Sequence, residues 1–125
     1  MADGKRRYDI EERCIDFAVE ILDLCDTIPK TRAGNHIAGQ LVRCGTSPAP
    51  NYAESQAAES TKDFIHKLGI SLKELRETRV WLKVIIKAKR MNRKDAALQL
   101  LKECNELISI FGASINTVKK RNARK

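Results

Sequence analysis

Six cations, Lys73, Arg76, Lys83, Lys87, Arg90 and Lys94, recur along the 125-residue chain at spacings that place them on one flank of a helical stretch. Over roughly 30 Å of helix, such a row could neutralise several phosphates and release their counterions. Binding of that kind is strong at low salt and indifferent to sequence. The same row serves as a solvated flank, or docks an acidic protein or an acidic face of the chain itself. The charge is segregated: residues 62–94 hold eleven basic and three acidic residues, net +8, equal to the whole chain, whereas residues 8–28 hold one basic and seven acidic. The basic ends, Lys5 to Arg7 and Lys119 to Lys125, read as auxiliary contacts or solubilising tails. With aromatics at 5% and none interleaved among these cations, base stacking on single strands has little to work with.

Catalytic chemistry finds less support. His36 and His66 each fall near an expected helix start, and neither has a local Ser, Cys or carboxylate pattern that would make a nucleophile or general base. The sequence holds no GxxxxGK[ST] loop, no GxGxxG turn, no HExxH and no Glu-x-x-His. Cys14, Cys25, Cys44 and Cys104 form no CxxC pair, and each falls on an apolar stripe. They read as reduced core hydrophobes rather than a metal site or a disulfide. The expectation is a protein that is not an enzyme and uses no cofactor and no metal.

The elements that carry these residues are helical. Ile10, Cys14, Phe17, Ile21, Leu24 and Ile28 alternate at spacings of four and three, the seam of an amphipathic helix that Pro29 stops. A second stretch, with Asn35 as expected N-cap, carries Ile37, Leu41 and Cys44 on one face. Pro48 and Pro50 predict a kink or short break between Cys44 and Tyr52, because each lacks a backbone donor and clashes with the carbonyl four residues back. Ser60 or Thr61 caps a third stretch whose seam is Phe64, Leu68, Leu72, Leu75, Leu82 and Ile86. Asn92 and Asp95 suggest a capping box for a fourth, with Ala97, Leu101, Cys104, Ile108, Phe111, Ile115 and Val118 as its seam. Short links and the absence of any strand-like alternation predict an all-α fold, an antiparallel up-down-up-down four-helix bundle. It forms one domain over residues 1–125, with flexible basic ends near 1–7 and 119–125. No stretch approaches the roughly 20 apolar residues of a membrane span, and the start has no apolar signal core, so a soluble cytoplasmic protein is expected.

Ile70, Trp81, Val84 and Ala88 fall roughly 160° from the Leu72, Leu75, Leu82, Ile86 seam, and one side of a bundle cannot bury both. They are expected to form a homo-oligomer interface anchored by Trp81, unless the second stretch or the tails cover them. Arg79 stands where that seam expects an apolar side chain and needs a partner, with Glu54 and Glu59 as candidates.

The run from Gln40 to Ile85 resembles the small four-helix-bundle proteins encoded in intervening sequences of bacterial 23S ribosomal RNA genes, the S23 or intervening-sequence family. Asn51-Tyr52-Ala53-Glu54, Ser60-Thr61-Lys62-Asp63-Phe64, and Leu75-Arg76-Glu77-Thr78-Arg79 followed by Trp81-Leu82 carry the likeness. Pro48 and Pro50 depart from the small and aliphatic residues expected of many relatives. More distantly, the chain is similar to the accessory variability determinant of diversity-generating retroelements. The resemblance implies a bundle that assembles as a ring-like homo-oligomer, a pentamer being favoured, with a basic outer surface and no catalytic site. RNA or another nucleic acid is the expected partner, and an acidic protein docked on a scaffold is the alternative.

Overall fold

Two prolines fix the most unusual feature of the backbone. In the computed structural model, which describes residues 2–123 and the side chains of residues 10–123, helix α2 (Arg32–Thr46) ends one residue before helix α3 (Pro48–Gln56). Pro48 takes the first position of α3, where its missing N–H costs nothing. Ser47 keeps a helical backbone (φ −68°, ψ −36°), so the chain is interrupted rather than reversed. The Asn51 side-chain amide donates to both the Ser47 carbonyl (3.0 Å) and the Ser47 hydroxyl (2.9 Å), tying the break together.

Helix α1 spans Ala2–Asp26, α4 Thr61–Lys87 and α5 Lys94–Ala123, and no strand occurs among the described residues. Cys14, Phe17, Ile21, Leu24 and Ile28 are buried as the α1 spacing predicts. Helix α4 has its largest interface with α5 and its next with α3, whereas α1 packs mainly on α2. Helices α1 and α4 are not neighbours among the described residues. Phe111 on α5 stacks on Tyr52 of α3, ring centroids 5.5 Å apart, and the buried Ser71 hydroxyl donates to the Pro48 carbonyl (3.2 Å) where α3 crosses α4. Among the described residues no helix is long and apolar enough to cross a membrane.

Several details differ from expectation. The N-cap of α2 is Thr31, whose hydroxyl accepts from the Gly34 amide (3.0 Å), and Asn35 already lies inside the helix. Ser60 caps α4 as expected, accepting from the Asp63 amide. Asn92 does not cap α5: Arg93 follows it at φ 57°, outside the helical region, and the helix opens only at Lys94. Ile85, not Ile86, is the fully buried residue at the end of α4, and Leu100 and Leu107 are buried in place of Leu101 and Ile108. The basic end is helical through Ala123; Arg124 and Lys125 lie outside the described residues.

Candidate nucleic-acid interface

Helix α4 is amphipathic twice over. Its buried arc faces α5 and α3. Of its outer charges, Glu74 and Glu77 turn toward α2, where both hold Arg43. The cations lie on the opposite flank. At about 100° per residue, Lys73, Arg76, Lys83 and Lys87 share an arc of roughly 80°. All four are exposed, and none makes an ion pair among the described residues. Arg90 and Lys94 do not continue this flank as the sequence suggests. Ala88 adopts an extended backbone (ψ 133°) that ends α4, so Arg90 is exposed in the connecting turn and Lys94 is half-buried at the first position of α5. Lys5 to Arg7 lie outside the described side chains.

The expected interface strip is partly covered from within. Trp81 is half-buried, its ring edge-on to His36 of α2 (centroids 5.9 Å), and its indole N–H donates to Glu77 (3.1 Å). Ile70 and Ala88 are half-buried, which leaves Val84 exposed. Val80, absent from the expected strip, is 56% exposed beside it. Arg79 pairs with neither Glu54 nor Glu59: Glu54 holds Lys67 (3.1 Å), and Thr78 takes the buried seam position, donating to the Glu74 carbonyl. His36 and His66 are both exposed.

A second apolar face lies on α1. Ile15, Val19 and Leu22 are 41%, 50% and 44% exposed on the side of the helix away from the core. The signal was present in their spacing of four and three, but a seam pattern selects one side of a helix and is silent about the other.

All four cysteines are free, and three are buried. Burial pushes the thiols of Cys14 and Cys104 up to about 12 and that of Cys25 up to about 11, and it also raises Cys44. Each thiol therefore stays protonated well above neutral pH, the opposite of an activated nucleophile. In native protein at pH 8, iodoacetamide is expected to modify Cys25 slowly and leave Cys14, Cys44 and Cys104 intact, with all four reacting in denaturant. Mass spectrometry over a time course measures this. A shallow cleft of about 500 Å³, lined by Ser55, Ser60, Phe64, Val118 and Arg121 among others, carries no histidine, cysteine or carboxylate.

The described helices define an all-α protein with one helix face kept basic. Residues 6–113 match the family described as 23S rRNA-intervening sequence protein, and the chain belongs to that family. A crystal structure of a protein with unknown function from the S23 ribosomal protein family of Bacteroides thetaiotaomicron VPI-5482 is similar. It shares 29% sequence identity and a TM-score of 0.77, over 85% of this chain and 97% of that one. Among curated proteins none matches.

Proposed function

We propose that this chain is a non-enzymatic, self-associating up-down-up-down four-helix bundle that contacts RNA through its phosphates. The observation that carries the reading is the division of labour on α4. Glu74 and Glu77 are held by Arg43, whereas Lys73, Arg76, Lys83 and Lys87 stay exposed and unpaired among the described residues. Arg90, in the turn that follows, is a further exposed cation off the line of the helix. Exposed cations in a row stabilise a polyanion through counterion release and carry no base code, so the binding is electrostatic and shape-tolerant.

Fluorescence anisotropy of a labelled RNA tests this across about 50 to 200 mM salt, where log affinity should fall linearly with log salt. Arg90→Glu, in a turn with no structural partner, is expected to weaken binding about tenfold at the lowest salt and to flatten the slope by about one. No binding at about 50 mM salt would overturn the reading.

A further inference from the structure

The outer faces of α1 and α4 are complementary. On α1, the exposed row of Ile15, Val19 and Leu22 is bordered along one edge by Glu12, Asp16 and Asp23, and Asp26 closes the row at its C-terminal end. On α4, exposed Val80 and Val84 are bordered along one edge by Arg76, Lys83 and Lys87, and Lys73 lies in line with them two turns before Val80. None of these eight charges makes an ion pair among the described residues. The first and last charges of each set are fourteen residues apart, about 21 Å of helix. Within one chain the two faces cannot satisfy each other, because both point outward and α1 and α4 are not neighbours among the described residues.

We infer that the α1 outer face of one copy seats on the Val80–Val84 strip of a second copy. Laid parallel with Val19 level with Val80, the helices bring Glu12 level with Lys73 and Asp26 level with Lys87, and the acidic edge meets the basic one. The apolar rows form the dry centre and the charges the polar rim. An acidic face cannot pair with its own kind without repulsion, so the contact is heterologous: each copy offers α1 to one neighbour and α4 to another, and repetition gives a ring or a filament. The inference rests on the self-association in the proposed function and not on the RNA contact. Its rim is the row of cations that RNA would use, so a second copy and RNA compete for α4, and Arg90 stays outside the contact.

Cysteine cross-linking tests the geometry. Val19→Cys and Val80→Cys are prepared singly in a Cys25→Ala background, in the absence of RNA, and oxidised with copper phenanthroline at tens of micromolar. Both positions are exposed, and circular dichroism checks that each variant keeps the wild-type helix content. The mixture of the two is expected to give a disulfide-linked dimer on a non-reducing gel, at several times the yield of either variant alone. Equal yields in all three samples, or linking of Val19→Cys to itself alone, would overturn the inference. Light scattering of the wild type separates the two readings. An oligomer without the mixed link sinks this contact only, a monomer sinks self-association as well, and RNA binding is read independently by anisotropy.

Discussion

Phe111→Ala is expected to lower the free energy of unfolding by about 3–5 kcal/mol, the largest effect of any truncation in the core. Phe111 is 1% exposed, and its ring lies nearly parallel to that of Tyr52, with 12° between the planes. The pair is the packing contact between α3 and α5. Helix α3 has nine residues, too few to hold a helix by itself in water, so its place depends on packing rather than propensity. Truncation removes the transferred apolar surface and leaves a cavity that the Pro48 and Pro50 backbone is poorly able to fill by shifting. Urea unfolding followed by circular dichroism measures the loss. Leu98→Ala on the same helix, at a residue 53% exposed, should stay within about 0.5 kcal/mol. A Phe111→Ala loss below about 1.5 kcal/mol would show that the stack does not anchor α3.

Much of this fold is legible in the spacing of apolar residues, and the differences have specific causes. Cys14, Phe17, Ile21 and Leu24 belong to a row that runs from Ile10 to Ile28, longer than the Ile15, Val19 and Leu22 row beside it, so periodicity selects the buried side of α1. Leu100 and Leu101, Leu107 and Ile108, and Ile85 and Ile86 are adjacent apolar pairs. Either member fits a period of 3.6, and only the partner helix decides which one is buried. The break at Ser47 is legible because proline removes a donor whatever surrounds it. The basic row was legible as composition but not as geometry: a wheel extended through Arg90 and Lys94 runs past the end of α4, and nothing in the sequence before Ala88 announces that end. Arg79 shows the limit of seam arithmetic, since Thr78 beside it fills the buried position and Arg79 itself is only half-buried. The α1 outer face calls for a different reading. It is defined by what the bundle leaves uncovered, and that is known only once every helix has found its neighbours.

Gly34→Ala is expected to destabilise the protein by about 3 kcal/mol, although the same substitution at most helical positions is favourable. A Cβ at Gly34 would lie 1.9 Å from the Pro29 carbonyl oxygen and 3.2 Å from Ile28 Cγ2. That oxygen is fixed, because it accepts the Thr31 amide (2.9 Å) in the turn that carries the chain from α1 into α2. Relief therefore requires the turn to open, which pulls Thr31 from its capping bond to the Gly34 amide and lifts Ile28, 6% exposed, out of the core. Gly39 lies in the same helix with nothing within 4 Å of an added Cβ, so Gly39→Ala should be neutral or stabilise by up to about 1 kcal/mol. Thermal unfolding of the two variants side by side isolates steric approach from helix propensity, and equal melting temperatures would show that the turn yields freely. The consequence reaches beyond stability. The Pro29 to Gly34 contact sets how α1 leans on α2, and α1 carries the apolar row with its acidic edge. A turn that opened would displace that row while α4 and α5 kept their mutual packing. Gly34→Ala is thus expected to lose the Val19 to Val80 cross-link, measured at a temperature where α4 and α5 remain folded, and to leave the Lys73 to Lys87 row able to hold phosphate.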